Sequence, residues 1–358
     1  MAKSTGSAIQ WRRTPLPPEL LQSLNERSDA KAWLQAGGYL TSLVVTGVSA
    51  YWAWSLENWW LTGILVFLHG TVAAFTINGV HELVHGTVFR TPWLNTAFAY
   101  LFAFMGWINH RFFWLSHTEH HKYTLHAPDD LEVVVPITET IPGWLKGAFL
   151  NFNAFKMVGM HIRHSLGKLK GDWEHALLPP EAVKKRRYVL NWSRILVGGH
   201  GLIIVAGVVS GQWILPILIS LTPFYGFWLF TLCNNTQHVG LNEDVNDFRL
   251  NSRTFELNPI LRFFYWHMNF HIEHHMYAAV PCYHLKKLHQ AIEHDLPRSP
   301  QGLLETWVEI GYIMIRQKED PNYRYVPELP EDREKRFNER QRQSALQEKK
   351  TADQAPMV

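Results

Sequence analysis

The chain has 358 residues, a formal net charge of +3 and 47% hydrophobic residues. That length suits one large domain or two small ones, and so modest a charge does not indicate nucleic-acid binding. The two cysteines, Cys233 and Cys282, lie far apart and form no Cys-x-x-Cys pair, which argues against a disulfide framework and a thiolate metal site.

The first part of the chain predicts a membrane hairpin. Residues 1–30 contain no apolar core of the signal-peptide type, so we expect a cytosolic N-terminal segment. Two uncharged stretches follow, at about 32–56 and 59–80, each long enough to cross about 30 Å of hydrocarbon as a helix. Tryptophans near their ends are typical of the membrane interface. The short connection at Glu57 predicts that the two spans are antiparallel.

The middle of the chain is more polar. A short apolar stretch at 94–110 predicts a buried or half-inserted helix, and residues 126–140 predict a loop. Residues 141–167 interleave aromatic and basic side chains, which is typical of a helix lying in the membrane interface. A basic cluster follows at 184–187.

A second hairpin is predicted from the longest uncharged run, which extends from Ile195 to Gly240. It is too long for one span, so we place two spans at about 190–209 and 213–233. Beyond Asn242 the chain is soluble in character, and its charged tail after about residue 332 predicts disorder.

The distribution of basic residues predicts the topology. Lysine and arginine clusters lie in the N-terminal segment, in the 81–188 region and towards the C-terminus, whereas both loops between paired spans carry almost no charge. By the positive-inside rule, the basic regions and both termini are cytosolic. The predicted fold is an all-α integral membrane protein, with four transmembrane helices as two hairpins and a cytosolic helical cap. We place this domain at 31–295 and a cytosolic C-terminal segment at 296–358.

Three histidine clusters follow the predicted spans. On a helix, residues three and four apart share a face, so each cluster presents its imidazoles together. Neutral imidazole is the commonest side-chain metal ligand. The pattern therefore predicts a polyhistidine metal centre in the cytosolic cap. The clusters are His81-x-x-x-His85, His117-x-x-His120-His121 and His271-x-x-His274-His275, the last preceded by His267.

In order, spacing and placement, these clusters resemble the three histidine boxes of the membrane fatty-acid desaturase and hydroxylase superfamily, over roughly residues 30–295. The resemblance implies a diiron enzyme that activates dioxygen and abstracts hydrogen from an unactivated carbon, mostly on lipid acyl chains. Asn234 and His238 match a further asparagine and histidine of the family after the fourth span. The implied metal ligands are His81, His85, His117, His120, His121, His238, His271, His274 and His275, with Asn234 acting through a water.

The residue chemistry agrees with this resemblance. Imidazole suits iron, and the lack of clustered thiolates argues against a structural zinc cage. Acidic residues near the boxes are candidates to orient the imidazoles through their second ring nitrogen. We expect His267 to be structural or to support a ligand from behind, and the histidines outside the boxes to be hydrogen-bonded or exposed and not ligands. The candidate acids are Glu82, Glu119, Asp129, Asp130, Asp244, Asp247 and Glu273.

Other interpretations stay open at this point. His81-Glu82-x-x-His85 also fits the zinc-protease pattern, although a protease would leave the other two clusters unexplained. A metal transporter would place its ligands at mid-membrane, whereas these lie at the ends of spans. The boxes alone do not separate desaturation from hydroxylation or ketolation, and they do not identify the lipid substrate or the oligomeric state.

The electron source is expected to be a separate protein. The sequence contains neither the His-Pro-Gly-Gly of a fused cytochrome domain nor a cysteine set for an iron–sulfur cluster. We therefore expect a b-type cytochrome, or a ferredoxin with its reductase, and the basic cluster at 184–187 is one candidate docking site. The host membrane is either a bacterial inner membrane or the endoplasmic reticulum.

Overall fold

The computed structural model describes residues 9–130, 132–133 and 151–335. Within these ranges the chain is almost entirely helical, and its extended pairings are isolated β-bridges. The all-α prediction is confirmed for this part of the chain. The helices in order are α1 (Pro18–Leu24), α2 (Asp29–Ala32), α3 (Gly38–Ser55), α4 (Trp59–Ala73), α5 (Thr76–Val84), α6 (Pro92–Met105), α7 (His110–Tyr123), α8 (Phe152–Ser165), α9 (Gly171–Leu177), α10 (Val183–Val209), α11 (Ile214–Ile219), α12 (Trp228–Asn234), α13 (Phe248–Asn251), α14 (Pro259–Phe264), α15 (His271–Met276), α16 (Leu285–Ile292) and α17 (Gly302–Glu319).

Two helical stretches in the described ranges are long and apolar enough to cross a membrane, Trp59–Val84 and Val183–Val209. Over residues 59–68 and 195–209 their outward side chains are apolar, with Trp60 88% and Leu202 72% exposed. A helix in water would carry polar residues there, so these surfaces suit lipid. The four-span prediction is not confirmed, because within the described residues only these two stretches are long and apolar enough to cross a membrane.

The first predicted span corresponds to a continuous helical run, formed by α2, a five-residue π-helix at Trp33–Gly37 and the 18-residue α3. A tight turn with Glu57 at φ 56° then leads into α4. The Asn58 side chain caps α4 by accepting a hydrogen bond from the Leu61 N–H. This turn produces the hairpin predicted between the first two stretches.

The structure differs from the prediction over residues 213–233, where one continuous span was expected. This region consists of α11, a 3₁₀ turn at Thr222–Phe224 and α12. Pro223 cannot donate a backbone hydrogen bond, which favours a break. Gly226, at φ 76°, lies so close to the Gly70 backbone of α4 that a Cβ atom would clash with it. The chain therefore bends to pack against α4.

Buried polar side chains bond to the backbone carbonyls freed at helix ends and breaks. Lipid offers no hydrogen bonds, so such carbonyls need partners from the protein. A ring nitrogen facing a carbonyl must carry the proton, which makes each histidine a donor. These contacts fit the expectation that the histidines concerned are hydrogen-bonded and not ligands. The pairs are Tyr39 to Val72 (2.8 Å), His69 to Leu218 (2.9 Å), His161 to Trp107 (2.7 Å) and His200 to Phe104 (2.9 Å).

The cap, defined here as α7 with α13–α17, packs directly on the α5–α6 pair. Trp266 is fully buried against Gly79, where an added Cβ would lie 2.8 Å from the Trp266 Cζ2 atom. Because Gly79 precedes His81 by two residues, this close approach fixes the start of the first histidine box against the cap.

Two predicted features lie partly outside the described residues. The interfacial helix expected at 141–167 corresponds to α8 over Phe152–Ser165, and residues 141–150 are not among those described. The disordered tail expected after about residue 332 falls mostly on residues 336–358, which also lie outside them.

The hydrogen bond at the α4–α5 break predicts a stability difference between two Tyr→Phe variants of α3. Tyr39→Phe removes the hydroxyl that donates to the buried Val72 carbonyl, which keeps only the 3.2 Å bond from the Phe75 N–H, so we expect a loss of about 1 kcal/mol. Tyr51→Phe is the control, since Tyr51 is 36% exposed and bonds the Gln212 side chain, so we expect a change within about 0.5 kcal/mol. Thermal unfolding of the detergent-solubilised protein measures both. Equal unfolding temperatures would show that the break does not need this bond.

Candidate metal centre

The structure brings together all nine histidines of the sequence prediction. They come from α5 and the residue after it, from α7, from the loop after α12, and from α15. Within each of two groups, one ring nitrogen per residue lies within 4.8 Å of the others. The five-histidine cluster is His81, His85, His117, His121 and His274, and the four-histidine cluster is His120, His238, His271 and His275.

Two helices contribute to both clusters. On α7, His117 and His121 enter the five-histidine cluster while His120 enters the other, and α15 divides its three histidines in the same way. Positions three and four apart lie side by side on one helix face, so a single helix can serve two neighbouring sites. The rings of His121 and His275, one from each cluster, are only 4.7 Å apart between centroids. The two sites are therefore adjacent.

The spacing of the ring nitrogens fits metal ions. In the five-histidine cluster, the Nε2 atom of His117 lies 3.1 Å from that of His85 and 2.9 Å from that of His121. In the other, the Nε2 atom of His271 lies 3.0 Å from that of His238 and 3.1 Å from that of His275. Two nitrogens bound at right angles to one ion, each at about 2.1 Å, would be about 3 Å apart.

Hydrogen bonding alone does not explain these contacts. A neutral imidazole carries one N–H, and the Nδ1 atom of His117 already faces the Glu132 carboxylate at 3.1 Å. Its Nε2 atom is then a lone pair that meets two further Nε2 atoms. Convergent lone pairs repel one another unless a cation lies between them, so both clusters fit a bound metal.

Hydrogen bonds behind the rings turn the Nε2 lone pairs towards the clusters. The Nδ1 atoms of His81 and His120 lie 2.9 and 2.8 Å from the carboxylates of Glu82 and Asp130. The Nδ1–H of His238 donates to the Asn251 carbonyl at 2.7 Å. Such partners fix the tautomer and the orientation of a metal-binding imidazole.

The other candidate acids behave differently. Glu119 forms an ion pair with Lys122, and Asp247 forms one with Arg249. Glu273 is fully buried and accepts hydrogen bonds from Thr254 and His289 behind α15.

Sequence reasoning missed Glu132, which faces His117, and Asn251, which accepts from His238. Glu132 lies two residues after Asp130, in the loop that follows the second box, and this proximity was the one available signal. Asn251 acts through its backbone carbonyl, so its side chain gave no signal.

Burial keeps most of the imidazoles neutral, which is the form that binds metal. It lowers the pKa of His117, His121, His271, His274 and His275 well below the usual value, and repulsion between neighbouring imidazoles adds to this. Burial also acts to raise the pKa of the Asp130 carboxyl, but the charge and hydrogen bond of His120 lower it to about 2. Asp130 is therefore ionised at neutral pH.

A cavity of about 260 Å³ reaches both clusters from one side. Its walls combine histidines of both clusters with apolar side chains of Ile77, Phe113 and Met268. Asn234 lies on the same wall as His238. His267 belongs to neither cluster, in agreement with its predicted role outside the ligand set.

The zinc-protease interpretation fits the geometry poorly. A protease of this pattern needs the glutamate as a free general base beside the metal. The Glu82 carboxylate instead lies 2.9 Å from Nδ1 of His81 and 3.8 Å from Nδ1 of His274, behind both rings.

Comparison with known proteins gives one family and two curated relatives. A family model described as fatty acid desaturase matches residues 58–307, a range that contains all nine histidines and Asn234. The sn-1 oleoyl-lipid 12-desaturase of Anabaena variabilis is 26% identical over 297 residues, covering 78% of this chain and 80% of the relative. The enzyme of the same name from Picosynechococcus sp. is 26% identical over 303 residues, covering 77% and 80%.

Metal content should respond to each cluster separately. His85→Ala removes a ligand from the five-histidine cluster and His238→Ala removes one from the other, so each should lower the metal content from two ions per chain towards one. His267→Ala is the matched control and should retain both ions. Elemental analysis of the purified variants measures this, counting zinc with iron because imidazole sites accept both. Two ions per chain in folded His85→Ala and His238→Ala protein would rule these clusters out as the metal sites.

Proposed function

The chain belongs to the fatty acid desaturase family, a family of membrane-associated oxidoreductases, and on this basis we propose that it is an oxygen-dependent diiron desaturase of lipid acyl chains. The observation that carries the proposal is the convergence of nine imidazoles into two adjacent clusters. Two bound iron ions, with dioxygen as co-substrate, would supply the oxidising power to remove hydrogen from an unactivated C–H bond.

The residues of this chain would hold and orient the metal pair. The five-histidine cluster would bind one iron and the four-histidine cluster the other. We propose that Asn234 contributes through a water, a role supported by its place on the cavity wall beside His238. Asp130 and Glu82 hold the rings of His120 and His81.

The cavity supports an acyl chain as substrate. Ile77, Phe113 and Met268 offer apolar contacts next to the clusters, where a hydrocarbon segment would displace water. Both relatives are named for an oleoyl lipid, which supports an acyl chain esterified in a membrane lipid. Electrons would come from a separate b-type cytochrome, or from a ferredoxin with its reductase.

We further propose a multi-pass arrangement with the metal centre and both termini on the cytosolic side of a bacterial inner membrane or the endoplasmic reticulum. Contacts between the N-terminal segment and the cap support placing them together. Arg12 forms an ion pair with Asp295 at 2.8 Å, and the Trp11 indole donates to the Lys122 carbonyl at 3.0 Å. Lys122 directly follows the second histidine box.

Lipid mass spectrometry of cells with and without the gene tests the reaction. Desaturation removes two hydrogen atoms from an acyl chain, whereas the alternative reaction, hydroxylation, adds one oxygen atom. We expect the first product with the wild type, none with His238→Ala, and severely reduced product with Asn234→Ala although the protein folds. Asn191→Ala, which removes an exposed amide, is the control. If the cells form only oxygenated product, the protein is a hydroxylase or ketolase and the desaturase proposal is wrong. If Asn234→Ala forms product at the normal level, Asn234 does not take part in the metal centre.

Cysteine labelling tests the topology. Cys233 and Cys282 are fully buried, so a membrane-impermeant thiol reagent should report introduced cysteines. Leu56→Cys and Ser210→Cys, at the two interspan turns, should react in intact bacterial cells that express the protein, because their non-cytosolic side is open to the reagent. Lys170→Cys should react only after permeabilisation. Reaction of Leu56→Cys and Lys170→Cys from the same side would contradict the proposed arrangement.

A further inference from the structure

The outer face of α17 is apolar. Leu304, Val308, Tyr312 and Ile315 recur every three or four residues, so they form one stripe along the helix. They are 81%, 67%, 53% and 60% exposed. A helix at a water-facing surface normally places polar residues on its outer side. On α17 this arrangement is reversed.

The charged residues of α17 do not lie on this stripe. Glu309 pairs with Arg253 at 3.0 Å, and Glu305 pairs with Arg298, so both carboxylates bond to neighbouring parts of the protein. The remaining charged residues, Arg316, Lys318 and Glu319, are exposed and lie in the last turn. From Leu304 to Ile315 the stripe is therefore uncharged, and charges of both signs follow it.

The opposite side of α17 packs on the membrane-embedded part of the fold. The Trp307 indole donates to the Leu232 carbonyl of α12 at 2.9 Å. In turn, the Trp228 indole of α12 donates to the Thr71 hydroxyl of α4 at 3.1 Å. Because α4 belongs to a candidate membrane-crossing stretch, these contacts place α17 beside that stretch, with α12 between them.

We propose that α17 lies in the membrane interface, with its stripe in contact with the lipids of the bilayer in which the protein is embedded. Proximity to α12 and α4 favours lipid over a second copy of the chain as the occupant. The charged last turn of α17 would lie in the polar headgroup layer. Five charged residues in 18 make the helix unsuited to crossing the membrane, and it is not one of the two candidate crossing stretches. The expectation that the chain is soluble in character beyond Asn242 is thereby revised.

This contact has a structural link to the metal centre. Arg253, the partner of Glu309, also donates hydrogen bonds to the carbonyls of Thr236 and Val239. These two residues flank His238 of the four-histidine cluster. A helix held at the bilayer surface thus braces the loop that carries one metal ligand.

Site-directed spin labelling tests the proposal on the full chain, reconstituted in nanodiscs of phosphatidylcholine and phosphatidylglycerol. Single labels replace Leu304, Val308 and Ile315, and a label at Lys287, an exposed position on α16, is the water-facing control. Labels in lipid collide more with dissolved oxygen and less with a water-soluble nickel complex. We expect the oxygen-to-nickel collision ratio at the three stripe positions to exceed that at Lys287 severalfold.

Three results would overturn the proposal. Nickel access equal to that at Lys287 would place the stripe in water. Low access to both reagents would show that protein covers it. Spin–spin broadening that disappears on dilution with unlabelled protein would identify a second copy as the occupant. Metal content and the gel-filtration profile of each variant establish that it is folded, and the three positions test the proposal independently.

Discussion

Ring nitrogens of nine imidazoles converge in two clusters, and this arrangement needs positive charge between them. Without it, His117 would hold an Nε2 lone pair against the Nε2 atoms of His85 and His121 at about hydrogen-bond distance. Binding of cations relieves that repulsion, so metal binding should contribute directly to the stability of the folded state. The histidines come from four separate stretches of chain. The rest of the fold positions these stretches through close packing, such as that of Trp266 on Gly79, and through hydrogen bonds behind the rings.

The part of the fold that contains the apolar stretches is irregular, and its breaks need hydrogen-bonding partners. Helices that only cross a bilayer need no interruptions, but here α4 and α5 are separated and residues 213–233 are divided into short pieces. Each break exposes carbonyls that lipid cannot satisfy, and Tyr39 and His69 donate to two of them. Buried histidines therefore have two distinct roles in this chain. Those of the boxes converge on a metal centre, and those within the apolar stretches complete the backbone hydrogen bonding.

The parts of the structure that depend on local spacing could be predicted from the sequence. The nine histidines followed from helical periodicity together with a family resemblance, and the first hairpin followed from two uncharged stretches. The break near Gly226 could not be predicted in this way, because it depends on contact with Gly70, which is distant in the chain. The apolar stripe of α17 was also missed, since the charges of Glu305 and Glu309 lower the average hydropathy although both acids turn aside into ion pairs. Average hydropathy does not report which face of a helix carries the charge.

The negative charge near the two histidine clusters comes from carboxylates that lie behind the imidazole rings. Within the described residues, both clusters consist of histidines alone, so the ligands themselves add no negative charge to offset two metal cations. Asp130 and Glu82 instead lie one hydrogen bond behind the ligand rings, and Asp130 is ionised. Residues three apart on a helix differ in height by about 4.5 Å, so α7 and α15 set the separation of the two sites through backbone geometry. Placing the carboxylates behind the imidazoles lets the chain compensate charge while the cavity side of both sites stays open to substrate.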